Sequence, residues 1–157
     1  MIKEVGKNDL KQALDLVNDV FTEFVAADYS EQGKDTFRNY LKAKYDEVFD
    51  DMQTGHKKIW GYYQNDKIIG VIATRDTSHI ALMFVDKRHH RKGIARQLFE
   101  TVLAVLKTDT AVAQITVNSS PYAVKVYECL GFVRAGEKQE KDGIVFFPMT
   151  RPLFKDI

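Results

Sequence analysis

The chain has little that would tie it to a disulfide framework, a membrane or a nucleic acid. Of its 157 residues only Cys129 is a cysteine, which excludes an internal disulfide and an all-cysteine metal site. The formal net charge is +1, without the basic excess typical of a general nucleic-acid binder. No stretch approaches the roughly 18 to 20 apolar residues of a membrane span, and Glu4 lies where a signal peptide needs apolar residues. We therefore expect a soluble, cytoplasmic protein that binds neither nucleic acid nor membrane.

The order of apolar patterns predicts one α/β domain over residues 1–157. Hydrophobic residues make up 45% and charged residues 29% of the chain, and neither a repeat nor a low-complexity linker divides it. The order β-α-α-β-β-β-α-β-α-β-β favours a mixed sheet with helices packed on it. The predicted strands are 2–5, 57–63, 67–74, 80–85, 113–117, 133–137 and 144–149, and the predicted helices run from Asn8 or Asp9 to Phe24, Lys34 to Asp51, 93–107 and Pro121 to Leu130.

A basic turn joins the apolar strand 80–85 to the amphipathic helix 93–107. The first amide N–H groups of a helix lack internal partners, and this end of the helix dipole is positive. A glycine at position 93 lets the backbone approach a ligand closely, so the turn can hold a phosphate group. No Gly-Lys-Ser/Thr ends it and the three-glycine dinucleotide spacing is absent, which excludes a P-loop and a dinucleotide fingerprint. The turn reads His90-Arg91-Lys92-Gly93-Ile94-Ala95, with Arg96 next.

A second polar segment follows the strand at 113–117 and leads into a helix. It contains Ser120-x-x-Ala123-x-x-x-Tyr127-x-x-x-Gly131-Phe132, and the earlier turn contains His90-x-x-Gly93-x-Ala95. Together, in this order and in these elements, the two motifs make the chain resemble the GNAT superfamily of acyl-CoA-dependent N-acyltransferases. The element order resembles that family over nearly the whole chain. His90 stands where the family usually has Gln or Arg, which we expect to alter affinity more than the class of ligand.

The resemblance implies that acetyl-CoA is the cosubstrate and that a primary amine attacks it directly in a ternary complex, without a metal. The backbone at Phe84 and Val85 would pair with the pantetheine arm in a gap between two strands, and an amide near Phe84 would donate to the oxyanion. Tyr127 would protonate the departing thiolate, since a phenol of pKa about 10 can be matched to a thiol of pKa about 8.5. Ser120 and Asn118 would contact CoA or the acceptor. The pyrophosphate would be held by the amides of Arg91, Lys92, Gly93, Ile94, Ala95 and Arg96, and His90 would also bind the cofactor.

Two single residues invite other interpretations. By spacing alone Tyr127 is a core tyrosine with a satisfied hydroxyl, and the motif match reverses that preference in favour of catalysis. Cys129 lacks a nucleophile signature, and free cysteines are commonly buried small hydrophobes, so we reject it as an acyl carrier. His79, His89 and His90 lack a carboxylate that would complete a familiar ligand set, so we expect no metal site.

The general base is open at this point, because a side chain or water can accept the proton of the amine. The ordinary pKa of His79 suits the task, although the residue can equally be a hydrogen-bonded strand end. Glu23 and Asp28 at the end of the first helix are weaker candidates because charged residues there are commonly solvated. Arg75 can bind an acceptor carboxylate or pair locally. Either an apolar acceptor pocket or the core can contain Phe21, Phe24, Tyr29 and Phe37. A cation-attracting patch or, by preference, a solvated helix end can account for Asp46, Glu47, Asp50 and Asp51.

Two other functions compete with acetyl transfer. One is a regulatory domain that senses or binds CoA without catalysis, against which Ser120 and Tyr127 weigh. The other is a nucleotide- or nucleic-acid-binding module that uses the basic turn, which the near-neutral charge disfavours. The sequence leaves open the identity of the small-molecule or peptide acceptor, the use of acyl groups other than acetyl, and a possible homodimer.

Overall fold

An eight-stranded mixed sheet forms the centre of the protein, in the order β1-β2-β3-β4-β5-β8-β6 with β7 also paired to β8. The structure is a computed structural model and describes residues 1–43, 50–51 and 54–154. The strands are β1 Ile2–Glu4, β2 Lys57–Gln64, β3 Lys67–Arg75, β4 His79–Val85, β5 Gln114–Ser119, β6 Val133–Arg134, β7 Gln139–Lys141 and β8 Ile144–Pro152; the helices are α1 Lys7–Val20, α2 Glu31–Ala43, α3 Ile94–Leu106 and α4 Val124–Cys129.

Helices cover both faces of the sheet, which confirms the predicted fold class. On the first face, α1 and α2 bury Leu10, Val17 and Val71 in one apolar cluster. On the second face, α3 and α4 bury Leu98 and Phe132 in another. The interior strand β3 is buried on both sides, because Ile69 and Ile72 belong to one cluster while Ile68, Val71 and Ala73 belong to the other.

The first helix differs from its prediction at both ends. It begins at Lys7 behind Gly6, without a side-chain cap, and the Asp9 carboxylate instead accepts a hydrogen bond of 2.8 Å from the Tyr63 hydroxyl. At its end the α-helix passes into a π-helical turn over Phe21–Val25 and then a 3₁₀ turn over Ala26–Asp28. Such widened turns are frequent at functional sites.

The second helix starts three residues before its predicted beginning. Ser30 caps it, since the Ser30 hydroxyl accepts from the Gly33 amide at 3.2 Å. Gly33 packs directly on Gly143 of the β7–β8 turn, and a Cβ at either position would overlap backbone atoms of the other. The Thr36 hydroxyl also donates to the Asp142 carbonyl at 2.9 Å. These contacts fasten the first turns of α2 to the hairpin. Residues 44–49 of its predicted continuation, including Asp46 and Glu47, lie outside the described residues. Asp50 and Asp51 are helical, and the Asp51 carboxylate pairs with Lys57 at 3.4 Å.

The C-terminal hairpin pairs differently from the prediction. The Lys141-Asp142-Gly143 turn is confirmed, with φ of 52° at Asp142 and 81° at Gly143. The strand that precedes it is β7, however, and the predicted strand at 133–137 shortens to β6, which pairs with Met149 and Thr150 at the far end of β8. One long β8 therefore pairs with two short strands along the same edge.

In the part of the chain that the structure describes, no helix has the length and apolar character needed to cross a membrane.

Candidate active site

The two central parallel strands separate after a short stretch of pairing. β4 and β5 pair at His79 with Thr116 and at Ile80 with Val117. Along the rest of β4, from Ala81 to Val85, no pairing with β5 is present among the described residues. The gap leaves backbone donors and acceptors of β4 available, and unpaired strand edges bind extended ligands by adding a strand.

The register with β3 decides which backbone groups of β4 face this gap. Ala81 is an extra residue, since Leu82 pairs with Ala73 while Ile80 pairs with Thr74. Beyond this bulge the Asp86 amide donates to the Ile69 carbonyl of β3 at 2.8 Å. Because the backbone groups of successive residues point to opposite sides, those of Leu82 and Phe84 also face β3. Those of Met83 and Val85 face the gap.

Only Val85 of the two predicted pantetheine contacts therefore has its backbone directed into the gap. The backbone of Phe84 is used in the ladder to Val71, and its ring packs on the first face. Met83 was missed because the alternation that exposes its amide depends on the bulge, which the sequence does not reveal.

The basic turn presents amide groups at the end of β4. Arg91 and Gly93 have left-handed φ values of 63° and 78°, and turns of this kind make concave sites for anions from successive N–H groups. Gly93 is the N-cap of α3 and supplies no side-chain hydrogen bond to it. The first amides of the 13-residue helix are thus open to a ligand.

His90 fixes the turn against the end of β4. Its Nε2 lies 2.7 Å from the Val85 carbonyl oxygen, and since a carbonyl oxygen only accepts, Nε2 carries the proton. The ring also packs against Phe24, with centroids 5.0 Å apart. Arg96 reaches in the other direction, and its guanidinium donates to the Cys129 carbonyl at the end of α4 at 3.1 Å. These contacts order both flanks of the turn.

A cavity of about 490 Å³ passes through the gap. Its lining includes Val85 and Tyr127, which pack on the second face, and Phe84, which packs on the first. Eleven of the predicted site residues line it: Phe84, Val85, His90, Arg91, Gly93, Ile94, Ala95, Arg96, Asn118, Ser120 and Tyr127. The structure thus brings together the two sequence motifs in one cavity.

Tyr127 is the buried phenol of this cavity, with 5% of its surface exposed. Burial raises its pKa well above the ordinary value, and no charge or hydrogen bond contributes to the shift. Its ring is fixed edge-on against Phe132, with centroids 5.5 Å apart. A phenol in these surroundings keeps its proton at neutral pH.

The end of β5 supplies the remaining predicted polar contacts. Asn118 is exposed and lines the cavity. The Ser120 hydroxyl accepts from the Ala123 amide at 3.3 Å and caps the short turn Pro121–Ala123 that leads into α4. Ser120 therefore positions the helix that carries Tyr127, in addition to lining the cavity.

The structure does not bring His79 and Lys92 into the cavity lining. Lys92 is exposed on the turn. His79 lies at the closed end of the strand pair, where its Nδ1 is 2.8 Å from the Thr116 hydroxyl. Burial, then the charge of Arg75, lowers the pKa of His79 to about 4. A base must reach the proton that it removes, so this position does not support His79 as the general base.

The other charged candidates are also placed outside the lining. Glu23 pairs with Lys87 at 2.8 Å, and Arg75 pairs with its neighbour Asp76 at 3.0 Å. Asp28 is exposed beside the site. Among the residues that the structure describes, no group of three or more His, Cys, Asp or Glu side chains is arranged to hold a metal ion.

Four aromatic rings form a continuous wall on the first face of the cavity, and we call Phe21, Tyr29, Phe37 and Phe84 the aromatic wall. Phe21 stacks on Phe37 with centroids 4.0 Å apart and meets Tyr29 edge-on at 5.2 Å. The sequence left Phe21, Phe24, Tyr29 and Phe37 open as core or pocket residues, and in the structure Phe21, Tyr29 and Phe37 both pack together and line the cavity. Phe24 does not line the cavity but contacts Tyr122, a lining residue that sequence reasoning missed.

Comparison with known proteins decides the family. Residues 25–153 match the model described as an acetyltransferase (GNAT) domain. The chain belongs to the GNAT acetyltransferase family. Two curated relatives are UPF0157 protein YqkA of Bacillus subtilis (strain 168), 30% identical over 98 residues, and N-acetylaspartate synthetase of Danio rerio, 30% identical over 105 residues. These alignments cover 60% and 61% of this chain but only 29% and 37% of the relatives, so the chain matches about a third of their length.

Solved structures of GNAT enzymes share the fold over almost the whole chain. A GCN5-related N-acetyltransferase from Rhodopseudomonas palustris has a TM-score of 0.79 at 15% identity, covering 97% of this chain and 94% of its own. PaiA N-acetyltransferase from Thermoplasma acidophilum, solved with coenzyme A, has a TM-score of 0.78 at 15% identity, covering 97% and 98%. An aminoglycoside 6'-N-acetyltransferase solved with coenzyme A has a TM-score of 0.70 at 11% identity, covering 100% and 99%. At these identities the likeness establishes the fold.

Proposed function

We propose that this GNAT protein transfers the acetyl group of acetyl-CoA to a primary amine by direct attack. One observation carries the proposal: the gap between β4 and β5 leads from the open amides of the basic turn to Tyr127 and onward to the opposite face of the sheet. A cosubstrate and an acceptor can thus meet from opposite faces. When bound, acetyl-CoA supplies the activated thioester.

The basic turn would hold the pyrophosphate of CoA. The open amides of Ile94 and Ala95 at the start of α3 favour an anion through direct hydrogen bonds and through the helix dipole. Arg91 and Arg96 line the same part of the cavity and add positive charge. Lys92 is exposed and would contribute only at longer range. Backbone recognition fits the presence of His90 at a position where the family usually has Gln or Arg.

The backbone of β4 would guide the pantetheine arm and polarise the thioester. Met83 directs its amide and carbonyl into the gap, and Val85 directs its amide there while its carbonyl accepts from His90 Nε2. These groups would take the pairing that the family resemblance implied for Phe84 and Val85. An amide that faces the gap can also donate to the oxygen on which negative charge develops, and it needs no rearrangement to do so. Met83 is the residue we assign to this role.

Tyr127 would donate the proton that the departing thiolate needs. Its raised pKa keeps the proton on the phenol until charge develops on the sulfur. The proton of the attacking amine would leave through water, because the described lining contains no carboxylate and its two histidines are held at the turn. His89 Nε2 lies 3.1 Å from Gln64 Oε1, and His90 is bound to Val85.

Titration calorimetry with acetyl-CoA, followed by thiol release with a panel of amines, tests the proposal. We expect saturable binding of acetyl-CoA and amine-dependent release of free CoA. Absence of binding at millimolar acetyl-CoA would refute the cosubstrate, and binding without turnover on any amine would favour a domain that senses CoA. Mass spectrometry of the product should show one added acetyl group on the amine nitrogen.

A further inference from the structure

The acceptor side of the cavity differs in chemistry from the side that faces the basic turn. The aromatic wall and Val25 supply rings and methyl groups, with the Tyr29 hydroxyl as the one polar side-chain group of that set. Near the turn the lining includes the basic side chains His89, His90, Arg91 and Arg96, together with the Cys129 thiol. Among the described lining residues no carboxylate is present on either side.

From this wall we propose that the acceptor is a small arylalkylamine, whose reacting amine is its single charged group and whose body is aromatic. The inference rests on the proposed acetyl transfer and specifies its second substrate. The rings already contact each other in stacked and edge-on geometry, and an aromatic substrate adds a further ring in the arrangements that aromatic pairs prefer.

The charge of the site argues against acceptors with several ammonium groups. A second ammonium would leave water without a carboxylate partner, and burying an unpaired charge is strongly unfavourable. The carboxylate on the adjoining π-helical turn, Glu23, is paired to Lys87 at 2.8 Å. Asp28 is exposed to solvent outside the lining, so a polyamine would gain only a screened interaction there.

The same apolar surroundings explain how the amine reaches its reactive form. Desolvation disfavours the charged form of an ammonium group and lowers its pKa. The aromatic wall therefore promotes loss of the proton to water without a side-chain base. Tyr29 does not compete for this proton, because burial and then the charge of Asp28 raise its pKa to about 12 and keep it neutral.

The size of the cavity sets an upper limit on the acceptor. Its volume of about 490 Å³ falls in the range of single ligand pockets, about 300 to 1,000 Å³. The pantetheine arm would fill part of this volume. The remainder suits one ring on a short alkyl chain better than an extended peptide.

A kinetic panel with acetyl-CoA on the whole protein tests the substrate class. Phenethylamine, ethylamine and spermidine serve as probes, and released thiol is measured. We expect kcat/KM for phenethylamine to exceed that for ethylamine by about 100-fold, as burial of a ring in an apolar pocket allows, and to exceed that for spermidine by about tenfold or more. A higher kcat/KM for spermidine would overturn the aromatic acceptor and leave acetyl transfer standing. No turnover with any probe would overturn both.

A substitution in the aromatic wall should change the preference between two amines, which a loss of folding stability alone would not do. Phe37→Leu should lower kcat/KM for phenethylamine about tenfold, while 2-(1-naphthyl)ethylamine recovers it by filling the space, with the Kd of acetyl-CoA unchanged. The matched control is Tyr40→Leu on the same helix, which lies outside this cavity. Val25→Ala repeats the experiment from another element if Phe37→Leu does not fold. Equal losses for both amines would contradict the proposal.

Discussion

The two sides of the cavity are built in different ways. The side at the basic turn consists of backbone amides on one continuous segment, from His90 to Arg96. The aromatic wall on the opposite side gathers single residues from the π-helical turn, the end of the following 3₁₀ turn, α2 and β4. A site made of backbone amides tolerates changes of side chain, whereas a wall made of side chains from four segments is altered by substitution of any one of them. In the proposed function, the side at the basic turn would therefore hold the cosubstrate and the aromatic wall would select the acceptor.

Tyr127→Phe should have the largest effect, because Tyr127 lies where both sides meet. We expect kcat to fall by about 100-fold or more, the size typical of losing a general acid. The Kd of acetyl-CoA and the melting temperature should stay close to wild type, since the phenol ring and its contact with Phe132 remain. Rapid-quench kinetics and calorimetry measure the two quantities. Equal losses in binding and turnover would mean that Tyr127 only packs the core.

Gly93→Asp should break the side at the turn without touching the aromatic wall. A carboxylate at the N-cap repels the pyrophosphate, and φ of 78° strains any L side chain. We expect the Kd of acetyl-CoA to rise about 10- to 100-fold, measured by calorimetry. Gly55→Asp is the matched control, because Gly55 has φ of 80° and open space around it. If Gly55→Asp lost the same acetyl-CoA affinity, the effect would come from backbone strain in general and not from a pyrophosphate site at the turn.

His79 should contribute to the stability of the closed end of the strand pair in a pH-dependent way. Its folded pKa of about 4 lies below the ordinary value of about 6.5 for histidine. The neutral ring therefore stabilises the fold fully above about pH 6.5, and this contribution is lost as the pH falls from there to about 4. Allowing for solvent screening at this half-buried ring, we expect a loss of about 1 kcal/mol.

Urea unfolding of the wild type and His79→Asn at pH 7 and pH 4.5 measures that contribution. The wild type should lose more stability than the variant over this interval. An identical pH dependence of the two proteins would show that the hydrogen bond between His79 and Thr116 is not coupled to protonation. The variant should retain turnover at neutral pH, because His79 lies outside the cavity lining.

Glu23→Gln should have the smallest effect and separates structure from catalysis at the π-helical turn. The exposed pair with Lys87 is worth less than about 1 kcal/mol in stability. We expect kcat/KM to change less than about twofold, with an unaltered pH profile between pH 6 and 9. A loss of about 100-fold would identify Glu23 as the general base. It would also contradict the loss of the amine proton to water.

Much of the fold and of the side at the basic turn could be predicted from the sequence. The strand, the glycine turn and the following helix are local signals, and so is Tyr127 within its motif. The general base and the residues of the acceptor pocket could not be predicted from such local signals. His79 has a suitable ordinary pKa, but the register that buries it against Thr116 at the closed end involves a strand 37 residues away.

The sequence by itself determined the family and the order of elements, because periodicity, the glycine turn and the two motifs act within short stretches of chain. Only the tertiary structure decided which backbone groups of β4 face the gap, since the bulge at Ala81 appears when β3 and β4 pair. The aromatic wall likewise exists only after packing, which brings Phe21, Phe37 and Phe84 together from distant positions. The hydrophobic effect is not directional, so the identity of the rings that contact each other depends on how the helices and strands pack.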